Sequence, residues 1–368
     1  MDIALKKETT DNSVTTDELF DNMDDVFSII SEDLNQTSSF DKSSQILLDK
    51  NKNPISTIEY LPDDDYEQLK ITTTSAVEKS VLTRDRVSYA LLDKSVINKG
   101  EQSLSVGKIG KAHEPVLTKI VVSLDPDELE KMSNNMEFTY FDKSVFDAIC
   151  SLLMIGNKAM SLSMIARAML GKKSPYHPGS ELLEEIDKSI NKLERIKISI
   201  DMSEEIARFN QLKNEDVSKA VLKSRFFECR RLDTVIKGNA VDVIMFTQEP
   251  ILLKYAKKRA QLSSINNSLL DTPTKKTKNL ITIQSYLLQR INMLKLNKKL
   301  PQCIMFKSIY SLFDDDVVNM SDRAIKDLYV RARKAVLSIL EFWKKEGFIK
   351  NYSLTTKGRS YYKIDIEC

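Results

Sequence analysis

The sequence predicts a mainly α chain with small β-hairpins, an α+β class, in which one supersecondary pattern stands twice behind an unstructured acidic head. Three observations predict it. Gly and Pro are scarce, nine of each in 368 residues, which suits a helix-rich chain. The order helix, short helix, long helix, hairpin can be traced in residues 113–270 and again in residues 279–368. Charge is segregated: residues 1–70 hold 17 acids against 6 bases, or −11, while the remainder holds 49 bases against 36 acids, or +13, although the whole chain sums to +2.

Residues 1–112 are rich in Ser, Thr, Asn and Asp, a composition that buries too little apolar surface to offset chain entropy. They are expected to be a disordered acidic region, with a short amphipathic helix over Leu19–Ile30 that reads either as a transient helix or as a partner-binding segment. Order is expected from about Pro115, with strands over Val116–Leu124 and Glu137–Phe141.

Apolar residues then recur at helical spacing in Lys143–Ile155, stopped by Gly156, and in Ser161–Leu170, stopped by Gly171. Ser180 is placed as the N-cap of a third helix with the stripe Leu182, Ile186, Ile190 and Leu193. Lys197–Met202 alternates as a half-buried strand, and a polar stretch, Ser203–Lys223, follows. Arg225–Val235 and Val241–Thr247 flank Lys237-Gly238-Asn239 as a hairpin, and Ile251–Gln261 is a helix. This is the order of a winged helix, a helix-turn-helix variant whose third helix enters the DNA major groove.

Residues 271–278 read as a Thr/Pro/Lys linker. Beyond it come a helix over Leu280–Leu296, a short apolar element over Ile304–Phe313 and a loop at Asp314-Asp315-Asp316. A long helix over Ser321–Glu346 and a hairpin around Thr355–Gly358 complete a second winged helix. Phe342, Trp343, Tyr361 and Tyr362 are placed in the core under that hairpin.

The composition excludes several classes. No stretch nears the roughly 20 apolar residues of a membrane span, and MDIALKKETT lacks the apolar core of a signal peptide. The expected compartment is the cytoplasm. Four scattered cysteines and two lone histidines, His113 and His177, supply neither a disulfide framework nor a metal site. No P-loop, nucleophile elbow or zinc-protease signature is present, so no catalytic residue, metal or cofactor is assigned and the chain is not read as an enzyme.

The surplus of base falls on the predicted third helices and hairpins. Lys188, Asn191, Lys192 and Arg195 lie opposite the first apolar stripe, with Arg230, Arg231 and Lys237 in or beside the hairpin. Lys326, Arg331, Arg333 and Lys334 precede the second stripe, with Lys357 and Arg359 at the second hairpin tip. Any solvated helix face carries charge. Asn, Arg and Lys at these places would suit base edges and phosphates.

Five stretches carry a resemblance: FDKSVFDAICSL at Phe141–Leu152, MIARAMLGK at Met164–Lys172, SINKLERIKISID at Ser189–Asp201, IQSYLLQRI at Ile283–Ile291 and LEFWKKEGFI at Leu340–Ile349. On these the chain resembles the two-winged-helix replication initiators of plasmids and mobile elements of low-GC Gram-positive bacteria, over roughly residues 115–368. The resemblance implies binding of double-stranded DNA at origin repeats and recruitment of host replication proteins such as the helicase or its loader. It also implies a homodimer through the first domain and association with the nucleoid or plasmid. A winged-helix transcription regulator is the alternative. The long acidic head departs from the compact initiators and is expected to compete with DNA for the basic body.

Overall fold

The structure is a computed structural model. It describes residues 57–59, 70–72, 77–84, 92, 102–106, 118–124, 138–173, 176–201, 203, 221–236, 239–258, 261–358 and 360–368. The expected helix over Leu19–Ile30, and Lys237 and Arg359, lie outside them.

In chain order the strands are β1 (Thr57–Glu59), β2 (Lys70–Thr72), β3 (Lys79–Thr83), β4 (Gln102–Val106) and β5 (Thr118–Leu124). Helix α1 (Tyr140–Met154), strand β6 (Ala159–Ser161), α2 (Leu162–Leu170) and α3 (Ser180–Glu194) follow. Next are β7 (Ile196–Asp201), β8 (Val221–Arg225), β9 (Cys229–Ile236), β10 (Asn239–Phe246), α4 (Ile251–Lys258) and β11 (Leu262–Asn266). The second half holds α5 (Lys278–Leu296), β12 (Cys303–Met305), α6 (Phe306–Tyr310), α7 (Asp314–Val317), α8 (Asp322–Lys345), β13 (Asn351–Lys357) and β14 (Ser360–Glu367).

Two units repeat one topology. In the first, α1, α2 and α3 carry a sheet ordered β6-β10-β9. In the second, α5, α6 and α8 carry a sheet ordered β12-β14-β13. In each, a three-residue strand ahead of the second helix pairs with the last strand of the hairpin, which is the winged-helix arrangement. The first unit also inserts β7 and β8 between α3 and its hairpin, where they complete a four-stranded antiparallel sheet, β4-β5-β7-β8, with two strands that precede α1. No described helix is long and apolar enough to cross a membrane.

Local chemistry sets the boundaries. Thr139 and Asp142 form a reciprocal capping box: Asp142 N donates to Thr139 Oγ1 at 3.2 Å and Thr139 N to Asp142 Oδ2 at 2.8 Å. The chain is therefore already helical at Tyr140, which corrects the strand expected over Glu137–Phe141. Ser161 and Ser321 cap α2 and α8 by accepting from Met164 N and Ala324 N. The N-cap of α3 is Gly179, without a side-chain bond, and Ser180 is its first helical residue, not its cap. Asp314 opens the short α7 where a loop was expected. Val221–Lys223 joins β8, because the edge of β7 offers a ladder that a polar sequence can fill.

Each unit has its own core. In the first, Phe146, Phe226, Phe227 and Phe246 pack in a chain of ring contacts at 5.1 to 5.8 Å, over Ile149, Ile190 and Leu193. In the second, Trp343 is fully buried among apolar residues that include Leu287, Ile291, Ile339 and Ile364, each fully buried.

Strand β3 joins the two. It pairs with β11, and Val77 just before it belongs to the first core while Leu82 within it belongs to the second. Around it lies a buried polar cluster. Lys143 Nζ donates to Asp147 Oδ1 and to Thr83 Oγ1, both at 2.6 Å, and Thr83 N donates to Asp147 Oδ1 at 3.1 Å. Burial raises the Asp147 carboxyl above its ordinary value, with the Lys143 ammonium opposing the rise. The expectation that residues 1–112 lack fixed structure therefore fails at Lys79–Thr83. Averaged composition hides a five-residue strand whose partners lie far along the chain.

The 271–278 segment is packed, not loose. Thr272 is buried and donates to Gln284 Oε1 at 2.7 Å, and Gln284 Nε2 donates to Leu270 O at 2.9 Å. Trp343 Nε1 donates to Leu269 O at 2.8 Å. Gly171 sits at φ +67°, and a Cβ there would overlap the Asn267 carbonyl oxygen and stand 2.9 Å from Asp271 N. Across the seam Lys278 meets Glu185 at 2.7 Å and Lys172 meets Asp271 at 2.5 Å. Burial drives the nearby Lys276 ammonium down to about 8; the Lys172 cation adds to the drop and Asp271 opposes it.

Candidate nucleic-acid interface

The third helix of a winged helix and the hairpin behind it form its reading surface. Both copies present a third helix and a hairpin, with residues of different character.

On α3 the amphipathic stripe fixes the orientation. Leu182, Ile186, Ile190 and Leu193 are buried, which turns Asp187, Lys188, Asn191 and Arg195 outward. Lys188 lies 2.7 Å from Glu184 and 3.3 Å from Glu185, and its ammonium is held above the usual lysine value by hydrogen bonds to Glu184 and then Glu185. Asn191 uses both ends of its amide: Nδ2 donates to Asp187 at 3.0 Å, and Oδ1 accepts from Arg231 at 2.8 Å. Arg231, reaching over from β9, also meets Asp187 Oδ1 at 2.6 Å.

Lys192 turns inward. It pairs with the buried Asp142 of α1, which also accepts from Ser189 Oγ at 2.7 Å. The pair staples α3 to α1. Arg195 is the exposed C-cap residue of α3, and Arg230 is exposed on β9.

On α8, Leu328, Ala332, Val336, Ile339, Leu340 and Trp343 are buried. Arg323, Lys326, Arg331 and Lys334 stand exposed along the other side, with Val330 exposed among them. None of these four cations pairs with a carboxylate among the described residues; Arg331 Nε donates to the Asp327 carbonyl at 3.3 Å. Arg333 is half-buried and lies 5.9 Å from the Tyr361 ring of β14, a cation–π contact joining helix to hairpin. Tyr329 of α8 stacks on Tyr310 of α6 at 4.2 Å, which fixes the N-terminal half of α8. Lys357 is exposed at the end of β13.

The structure thus brings Lys326, Arg331, Arg333, Lys334 and Lys357 onto one unit. It binds Lys188, Asn191, Lys192 and Arg231 into contacts of the other. Two aromatic placements change. Trp343 is core and Phe342 half-buried, but Tyr361 and Tyr362 are 37% and 46% exposed. Neighbours on a strand point to opposite faces, so two consecutive tyrosines could not both enter the core, and that alternation was the available sign. Val330 stands exposed amid these cations, an apolar point without a sign in the sequence, since single exposed apolar residues are common.

No known family profile matches the chain, and no curated protein matches it. Two crystal structures are similar in part: selenomethionine derivatives of domain 2 and domain 3 of RctB, and RctB domains 2-3. Identity is 13% in both, with TM-scores of 0.36 and 0.41. Each alignment covers 77% of this chain, and 95% and 96% of the respective structures. Similarity at that level carries no functional inference.

Proposed function

We propose that the protein binds duplex DNA in a sequence-specific manner and starts replication of a plasmid or mobile element at origin repeats. One observation carries the reading: the outer side of α8 is a row of cations without carboxylate partners among the described residues, continuous with its hairpin through Arg333 and Tyr361. A helix with that face, presented by a winged helix, suits the major groove, with Lys357 directed at the backbone.

The first unit serves a supporting role, with Arg195 and Arg230 its outward cations. Recruitment of host replication proteins, dimerisation through the first unit and a nucleoid or plasmid location belong to the same reading. It assigns no catalytic residue, metal or cofactor.

The test is binding of the full chain to labelled origin-repeat duplex by fluorescence anisotropy at two salt concentrations. Arg331→Ala with Arg333→Ala should weaken binding and lower the salt slope by about 2, near one unit for each phosphate no longer neutralised. Equal affinity and slope would end the assignment. Repeat binding without support for replication of an origin-less plasmid would instead favour a transcription regulator.

A further inference from the structure

Between the packed 271–278 segment, the start of α5 and the outer edge of α8 runs an open groove of about 440 Å³. Its floor is apolar, made by Leu280, Phe313, Leu328 and Ala335. Its rim is basic: Lys275, Arg331 and Lys334 are exposed there, and no carboxylate among the described residues pairs with them. A groove of this kind accepts the apolar face of an amphipathic helix whose other face is acidic.

The same chain carries such a segment. Within Asp17–Ile30, Leu19, Phe20, Met23, Phe27 and Ile30 fall within about 100° of one another at 100° per residue. Asp24 and Asp17 flank that face on one side, with Glu18, Asp21 and Asp25 opposite. Forty-eight residues separate Ile30 from β3, which packs on the second core beside α5, the helix that begins at the groove.

We propose that Asp17–Ile30 binds as a helix in this groove in cis, its apolar face on Leu280 and Leu328 and its flanking acids against Lys275, Arg331 and Lys334. Docked there, the segment covers two cations of the proposed DNA face and competes with phosphate for them. The docking stands on shape and charge complementarity alone; only the competition rests on the DNA-binding reading.

The experiment compares hydrogen exchange of the full-length protein with that of a full-length Phe20→Asp/Phe27→Asp variant, without DNA. Amides in 278–284 and 328–338 should exchange several-fold faster in the variant, while those of α1 stay unchanged. Equal exchange in the groove peptides would overturn the proposal. Wild-type protection that falls on dilution would also overturn it, since the occupant would then be a second copy. A separate titration at low salt should show the variant binding non-specific duplex several-fold tighter than wild type. Failure of duplex binding in both proteins, with the exchange difference intact, would count against the DNA reading and leave the docking in place.

Discussion

Helices α3 and α8 hold the same place in the same topology and use their charges in opposite ways. Within its own span α3 carries five acids and two bases, whereas α8 carries three acids and seven bases. The first unit pairs its charges with one another: Lys192 with Asp142 and Lys143 with Asp147 in the interior, and Arg231 with Asp187 at the surface. The second holds itself together with apolar contacts around Trp343 and leaves its cations outside. Repeating a fold does not repeat its surface, and the partners of each cation separate one that binds the fold from one free to bind a ligand.

The contrast predicts that charge removal damages the fold in the first unit and binding in the second. Asp147→Ala should have the largest effect, about 3–5 kcal/mol of stability, because it leaves the fully buried Lys143 ammonium without its carboxylate. Chemical denaturation measures it, and Lys143→Met with Asp147→Leu should recover most of the deficit. A drop below about 1 kcal/mol in the single variant would break the contrast at its strongest point.

Lys326→Ala with Lys334→Ala should do the reverse: roughly 10- to 100-fold weaker duplex binding at low salt, with stability moved by less than about 0.5 kcal/mol. A variant that unfolds, or one that binds DNA as wild type, would refute the outward reading of α8.

Lys276 tests the seam. Its folded-state value of about 8 lies below the ordinary lysine value of 10.5, so between those pH values the unfolded chain binds the extra proton. Stability should therefore rise from about pH 8 to pH 10.5 and hold its lower level below pH 8. Lys276→Met should remove that rise and add about 1–3 kcal/mol at pH 7, less what its bonds to Thr272 contribute. A wild-type curve flat from pH 8 to 10.5, with no gain in the variant, would contradict the seam's cost.

The smallest effect is expected of Asp187→Ala, which releases Arg231 and Asn191 from a surface contact. Stability should fall by less than about 1 kcal/mol, and low-salt duplex binding should tighten a few-fold. Weaker binding would mean that Asp187 orients a reading surface on α3 instead of neutralising one.

The long helices were legible in the sequence because burial on one side repeats every three to four residues, as in α5 and α8. Hairpins were legible from their turns. Strands β6 and β12 were not: three residues carry no period, and each exists through its pairing with β10 or β14, far along the chain. The start of α1 was missed although its sign, Thr139 followed by Asp142, was local. In the candidate site, charge was legible and commitment was not. Lys192 and Lys334 look alike in a sequence, and only the fold brings Asp142, 50 positions away, to the first.

The pairing of β3 with β11 also bears on how the molecule is made. Ser80 and Asn267 hydrogen-bond across 187 positions, so the ribosome must finish the first unit and its hairpin before the clasp can close. Closing so long a loop is entropically costly and slow. A nascent chain halted before Leu262 therefore holds β3 without its partner strand and Leu82 without the second core. Translation past that point, into a second core for Leu82 to enter, completes both halves together.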